Sequence, residues 1–432
     1  MTLNVQVDGK TDAFNAAFTA YFPNEVKVHP GDTVVFNSVF RGEPHTVTMG
    51  KLVDAGLDAY DQKVKTAPNP DEVDDSTIPQ LAKIPVLEPD GPGEINQTTS
   101  QPCYLPAGDP PANTPCPKMA QPDFTGKEAL YNSGFLPDGE TYPLKLASDI
   151  KPGTYRYMCA LHRTGMTGKI EVVAAGSAGT SPEEAKKQGD DQLQKKVALL
   201  QPVMDQATTA PKPGVISAGQ VPLSKDAPRD LEGISFLPKV ASVPVGGSLT
   251  WNVFGFHTIS FNAPEDARPD VIKAADGSFH NNPKAGVPVG TKGVPPPPGP
   301  PGGGPPGAAS PGAASPSAAS PGAASPGASP GALTLGSPAA ILAELASPSD
   351  SPSGSPGGSP GGSPGGPPGG GPPTFKVTDL GSFGGTAFWN SGPIPSFPPE
   401  LTAVKIKFTK AGTYQYKCLV HTDMEGTVKV GS

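Results

Sequence analysis

Two short stretches hold the side chains best suited to chemistry. YRYMCALHRTGM (155–166) contains Cys159, His162 and Met166, and YQYKCLVHTDM (414–424) contains Cys418, His421 and Met424. A single C-x2-H is an ordinary strand-end pattern, since buried cysteines and strand-end histidines are common. Each stretch, however, adds a methionine after its histidine, and each has a further histidine far upstream, His45 in EPHTVTMG and His257 in GFHTISFN. A thiolate, a thioether and two imidazoles together suit copper, because soft sulfur holds Cu(I) and imidazole holds both oxidation states. Zinc seldom takes a thioether.

The elements that must position these donors are also written twice. VKVHPGDTVVF (26–36), EPHTVTMG (43–50), YNSGFLP (131–137) and PGTYRYMCALH (152–162) recur in the same order as ASVPVGGSLTW (241–251), GFHTISFN (255–262), WNSGPIP (389–395) and AGTYQYKCLVH (411–421). Within a block the period is two: Tyr155 and Tyr157 alternate with Arg156 and Met158, as Tyr414 and Tyr416 do with Gln415 and Lys417, which places each tyrosine pair on one face of a strand. Gly153 and Gly412 read as turn residues before these strands. Each unit therefore reads as an antiparallel sandwich or barrel, over 1–175 and 215–432. Between them, 176–214 carries the one helix expected. Ser181, Pro182 and Glu184 form a capping box with proline at the first helical position, and Pro202 is expected to end or kink the helix.

Both units carry insertions. The first, about 51–127, is acidic and proline-rich. The second, about 294–374, is built of SPGAA and SPGG repeats; without collagen's strict third-position glycine or enough apolar surface to pack, it reads as a disordered spacer, with a short helix only at PAAILAEL (338–345). The 54 glycines and 58 prolines, roughly a quarter of the chain, agree with much of it lying outside a packed core. Cys103 and Cys116 flank a loop of turn formers; closing it as a disulfide would stabilise the fold by on the order of 3 kcal/mol and imply an oxidising compartment. A net charge of -8 argues against nucleic acid as a partner. No apolar run is long enough to span a membrane. The start MTLNVQVDGK enters a strand pattern at once, so the chain is either cytosolic or a mature form whose signal peptide has been removed; the cysteine pair points to the second, an extracellular, periplasmic or cell-envelope location. His29, in the turn VHPGD, is expected to face solvent, and His280, in DGSFHNNPK, to lie in a loop.

On the motif G-T-Y-x-Y-x-C-x-x-H with a following methionine, and the upstream histidine in HTVT and HTIS, both units resemble cupredoxins, the blue copper proteins that include plastocyanin, amicyanin and azurin. The resemblance implies an all-β fold of two Greek-key β-sandwich domains joined by the helical linker. It also implies two type 1 copper ions per chain. His45, Cys159 and His162 would form one trigonal ligand plane, with Met166 axial; His257, Cys418 and His421 would form the other, with Met424 axial. The spacing H-x2-M at Met424 is that of amicyanin, whereas H-x3-M at Met166 is one residue longer than amicyanin's and one shorter than plastocyanin's. Where plastocyanin has asparagine after the upstream histidine, this chain has Thr46 and Thr258, whose hydroxyls are placed to pin the cysteine loops.

The family moves electrons to and from redox partner proteins, and His162 and His421 would inherit the role of electron port. Oxidases and nitrite reductases built from two such domains need additional copper, fed by histidines beside the cysteine. Here four of six histidines are spent on the two sets, no H-x-H pair exists, and neither cysteine has a histidine neighbour. A carrier with no catalytic residues is therefore preferred over an enzyme. A copper storage, sensing or envelope module is the alternative.

Overall fold

The computed structural model describes residues 1–39, 44–68, 73–84, 104–105, 121–136, 139–223, 230–273, 279–292, 373–397 and 401–431. Cys103, Cys116, residues 338–345 and all but the last two residues of the 294–374 tract lie outside this set.

The first half contains β1 (Thr2–Val7), β2 (Ala16–Ala17), β3 (Tyr21–Phe22), β4 (Glu25–Val28), β5 (Thr33–Ser38) and β6 (Thr48–Met49). It continues with helix α1 (Lys51–Thr66), β7 (Tyr104–Leu105), β8 (Leu130–Asn132), β9 (Thr141–Lys145), β10 (Gly153–Cys159) and β11 (Arg163–Val172). Helix α2 (Pro182–Thr209) follows.

The second half contains β12 (Val215–Gln220), β13 (Glu232–Leu237), β14 (Val240–Pro244), β15 (Ser248–Val253), β16 (Gly255–His257), β17 (Ser260–Phe261), β18 (Val271–Lys273) and β19 (Phe279–Asn281). After the short helix α3 (Pro283–Gly286) come β20 (Phe375–Phe383), β21 (Trp389–Asn390), β22 (Ile394–Ser396), β23 (Leu401–Phe408), β24 (Gly412–Lys417) and β25 (Glu425–Gly431).

The fold is all-β sandwich. In the first half a sheet ordered β3-β1-β5-β9 faces one ordered β4-β11-β10-β6-β8-β7. Alternation makes the inner faces: Leu3, Val5 and Val7 of β1 and Val34 and Phe36 of β5 are buried against Tyr157, Ile170 and Met166 of the opposite sheet. Each such side chain contributes about 1.5–3 kcal/mol by leaving water. The second half repeats the plan, β2-β13-β12-β15-β23-β20 over β14-β25-β24-β17-β21, around Trp251, Phe261 and Tyr416. Gly153 and Gly412 are the first residues of β10 and β24, the strands that end at the cysteines.

The halves share a sheet. β2, from the first half, pairs antiparallel with β13, with Ala17 opposite Glu232 and Ala16 opposite Gly233. Helix α2 lies in the same seam, its Leu193, Leu200 and Met204 packed with Phe18 and Phe22 on one side and Leu231 and Leu237 on the other. Ser181 caps it as expected, its hydroxyl accepting the Glu184 N–H at 3.1 Å. Pro202 does not end it: the helix runs on to Thr209, because burial of Leu200 and Met204 on either side of the proline outweighs the lost hydrogen bond.

A second helix, α1, falls in the first insertion where none was expected. Its cap residue is Gly50, which offers no capping side chain, so the start carries no sequence signal. Val53 and Leu57, one turn apart, anchor it on Leu130, Met158 and Leu81. His29 is only partly open to solvent, 32% of its side chain exposed, with Nε2 2.9 Å from the Ser177 carbonyl. His280 lies in the β18–β19 ribbon, not in a loop, and is half-buried. Among the described residues no helix is long and apolar enough to cross a membrane.

Candidate metal centres

In each half, β10 or β24 carries the cysteine at or just beyond its end, on the inner face set by the preceding tyrosines. The upstream histidine arrives from a second segment. His45 forms a bridge with Leu136 in the first half, and His257 pairs with Ile394 through β16 and β22 in the second. The repeated N-S-G triplets fix that segment. Ser133 and Ser391 each accept a backbone N–H at 2.8 Å, from Val47 and Ile259, and Asn132 and Asn390 accept the hydroxyls of Thr48 and Ser260. The triplets were legible as repeats, but their role appears only in three dimensions.

The donors converge. His45, Cys159 and His162 place one ligand atom each within 4.8 Å of one another, and so do His257, Cys418 and His421. Cys159 Sγ lies 3.9 Å from His45 Nδ1; Cys418 Sγ lies 3.8 Å from His257 Nδ1 and 3.7 Å from His421 Nδ1, with the two Nδ1 atoms 3.1 Å apart. Nitrogen and sulfur donors about 2.0 and about 2.3 Å from one ion, at angles near trigonal, stand roughly 3.7 Å apart, so the separations fit a single shared metal. The threonine expectation holds: Thr46 and Thr258 hydroxyls each accept the N–H of the residue after the cysteine, Ala160 and Leu419, at 2.7 Å. Their own N–H groups point at the sulfurs, at 3.5 and 3.4 Å.

Met166 and Met424 are fully buried in the same core clusters as Cys159 and Cys418. The Met424 carbonyl also accepts the Cys418 N–H at 3.0 Å, closing the second ligand loop.

Sequence reading missed one group in each half. His45 Nε2 is hydrogen-bonded to Asp8 Oδ2 at 3.0 Å, both side chains fully buried. His257 Nε2 lies 2.5 Å from Glu232 Oε1, at ion-pair distance. A carboxylate on Nε2 leaves Nδ1 as the face turned to sulfur, which is how an outer partner orients a ligating imidazole. Burial alone would lower both histidine pKa values. At His45 the Asp8 hydrogen bond and Cys159 reverse this and raise it to about 9. At His257 the Glu232 charge and Cys418 raise it to about 10. Burial pushes both thiols up, but the flanking imidazoles hold Cys159 and Cys418 well below the usual thiol value, towards the thiolate that ligates metal.

The centres differ in access. His162 is half-buried, and its neighbour Leu161 is 39% exposed. His421, expected at the surface, is buried, only 4% exposed. Leu419, in the same loop, packs against Ala267 and Ala285, from the 3-10 turn and the short helix α3 that lie between β17 and β20.

No protein-family model matches the chain, and no curated protein matches it. Solved structures do. A copper(I) form of an amicyanin variant is 15% identical over 40% of this chain and 82% of that one, with a TM-score of 0.18. Dithionite-reduced auracyanin from Roseiflexus castenholzii is 17% identical over 40% of this chain and 97% of that one, TM-score 0.21. Auracyanin A, a blue copper protein from Chloroflexus aurantiacus, is 15% identical over 40% of this chain and 98% of that one, TM-score 0.20. Similarity at this level carries no argument, and the donor geometry has to stand alone.

Proposed function

We propose that the chain is an extracytoplasmic electron carrier of the cupredoxin type with two type 1 copper centres, one in unit 1–175 and one in unit 215–432. His45, Cys159 and His162 would hold the first ion and His257, Cys418 and His421 the second, with Met166 and Met424 as weak axial ligands. The observation that carries this reading is the pair of buried His/Cys/His sets whose ligand atoms lie within 4.8 Å of one another. A methionine buried in the same core cluster at each centre adds a thioether, a donor that suits copper and that zinc seldom takes. Bound copper supplies one-electron chemistry between Cu(I) and Cu(II).

The protein's part is to hold the donors still and dry. The sandwich fixes the cysteine strand and the upstream histidine segment, and the threonines tie them together through the Ala160 and Leu419 amides. Asp8 and Glu232 hold the imidazoles in the orientation that ligation needs. A donor set that barely rearranges lets an electron enter or leave at low reorganisation cost. Half-buried His162, beside exposed Leu161, is the natural approach for a redox partner protein. The extracytoplasmic assignment rests on reading Cys103 and Cys116 as a disulfide.

Metal analysis with optical and EPR spectra on the full chain tests the proposal. The expected result is about two coppers per chain and an intense absorption bleached by reductant, with Cys159→Ser and Cys418→Ser each removing one copper. A colourless protein after Cu(II) loading sinks it. Tight Cu(I) retention without reversible electron exchange would favour the storage alternative.

A further inference from the structure

Each ligand loop is gripped by a charged side chain from a distant segment of its own half, Asp75 from the first insertion and Arg268 from the stretch that follows β17, and the two charges are opposite. In the first half Asp75, in a 3-10 turn over Asp75–Thr77, accepts the Thr164 hydroxyl at 2.9 Å and the Thr164 N–H at 3.4 Å, with Arg163 Nε 3.6 Å away. In the second half Arg268, just after the 3-10 turn Glu265–Ala267, donates from Nε to the Cys418 carbonyl at 2.7 Å and from a terminal nitrogen to the Met424 carbonyl at 3.3 Å. One guanidinium thus ties together the two ends of the loop that carries Cys418, His421 and Met424.

Resting on the copper reading above, we propose that Arg268 is a positioning residue that also sets the reduction potential of the second centre above that of the first. Arginine stays charged at any working pH, and its fork suits two carbonyls at once. A fixed positive charge bonded to the Cys418 carbonyl favours the less positive ion, Cu(I). Its own ion-pair partner offsets it poorly: Glu425, 3.4 Å away, has a side chain 64% exposed and is screened by water, whereas that of Arg268 is 17% exposed. At the first centre Asp75 and Arg163 are buried to the same degree, 16% and 17% exposed, so their charges largely cancel. A carboxylate stands behind the upstream histidine at both centres, and because Glu232 is 20% exposed and Asp8 fully buried, the better-screened Glu232 acts in the same direction as Arg268, whose own share the Arg268 variants isolate. Copper held at either centre would exchange one electron with a partner, and a fixed charge beside the donors would act on its potential directly.

The test uses the full chain in two single-centre backgrounds, Cys159→Ser for the second centre and Cys418→Ser for the first, titrated with redox dyes while the blue band is followed. The second centre is expected to titrate at the higher potential. Arg268→Met should lower it towards the first, and Arg268→Lys, which keeps the charge, should restore most of the difference. In metal-free protein, Arg268→Met should speed amide hydrogen exchange over 418–424. Equal potentials in the two backgrounds, or an unmoved potential in Arg268→Met with its blue band intact, overturn the inference. Should Arg268→Met hold no copper, unchanged exchange over 418–424 overturns it and faster exchange supports the clamp. A colourless single-centre protein with wild-type Arg268 instead breaks the copper reading, leaving the exchange result to judge the clamp.

Discussion

The two centres share their donors but not the source of the carboxylate behind the upstream histidine. Aligning GDTVVFN (31–37) with GGSLTWN (246–252) through the β1–β5 and β12–β15 registers makes Asp8 the counterpart of Gly219, and the hairpin registers make Ala17 the counterpart of Glu232. Both Asp8 and Gly219 have positive φ, 61° and 80°. A Cβ at 219 would lie 2.1 Å from the Phe254 carbonyl oxygen, so no side chain fits there. Glu232 reaches the same histidine edge from the neighbouring strand, its Oε1 2.8 Å from where that Cβ would be. What the halves have in common is therefore an acid at a point in space. The strand that supplies it is free to change.

The supply route matters for stability. Asp8 also accepts the Gly9 N–H, and the Phe18 N–H at 2.7 Å, so it serves three buried groups. Glu232, with a side chain 20% exposed, serves the histidine. Asp8→Ala should be the most damaging change, costing about 3–5 kcal/mol in the metal-free protein, because it unpairs a buried imidazole and leaves buried donors without acceptors. Urea denaturation followed by far-UV CD measures it. Gly219→Ala should follow at about 2–3 kcal/mol, from the overlap with a backbone carbonyl and an unfavourable φ. By the same argument Gly219→Asp should fail to rescue Glu232→Ala, although it copies the first half. Glu232→Ala itself should cost about 1–2 kcal/mol, since solvent partly replaces the acid. Trp251 and Trp389, the chain's two tryptophans, both lie in the second half, so their fluorescence follows it separately. A Glu232→Ala loss as large as that of Asp8→Ala breaks the proposed asymmetry.

The His/Cys/His clusters were legible because thiol and imidazole are rare side chains, their spacing around Cys159 and Cys418 is local, and the pattern occurs twice. The sandwiches were legible for the same reason, through period-two blocks that repeat in order. The outer carboxylates were not. Asp8 and Glu232 belong to no motif in the sequence, and only the hairpin brings either acid to a histidine. Asp75 escaped notice because it sits in a segment read as an insertion, and Arg268 because the stretch after GFHTISFN carries no motif; in both places the charge pattern says nothing about what the segment folds over. Burial of His421 was missed for that reason too: Ala267 and Ala285 cover its loop from more than a hundred residues upstream. Helix α1 lacked a cap, and of the two outcomes expected at Pro202 the helix end is ruled out by the apolar residues packed on either side of it.

The smallest expected difference between the halves is at Thr46 and Thr258, and it tests whether the donor scaffold, unlike its carboxylate, is truly repeated. Each hydroxyl accepts one loop amide at 2.7 Å, and each is linked onward through a second hydroxyl, Thr48 or Ser260, to Asn132 or Asn390. Valine keeps the shape but cannot accept, so the Ala160 or Leu419 amide loses its partner in a buried site. Thr46→Val and Thr258→Val should each cost about 1 kcal/mol and differ by less than about 0.5 kcal/mol. Because the threonine also sets the approach of its own N–H to sulfur, both variants should shift the optical band of the copper-loaded single-centre proteins in the same direction. Opposite shifts would mean that the two cysteines sit in different hydrogen-bond fields despite matching distances, and the equivalence of the centres would then stop at the ligands.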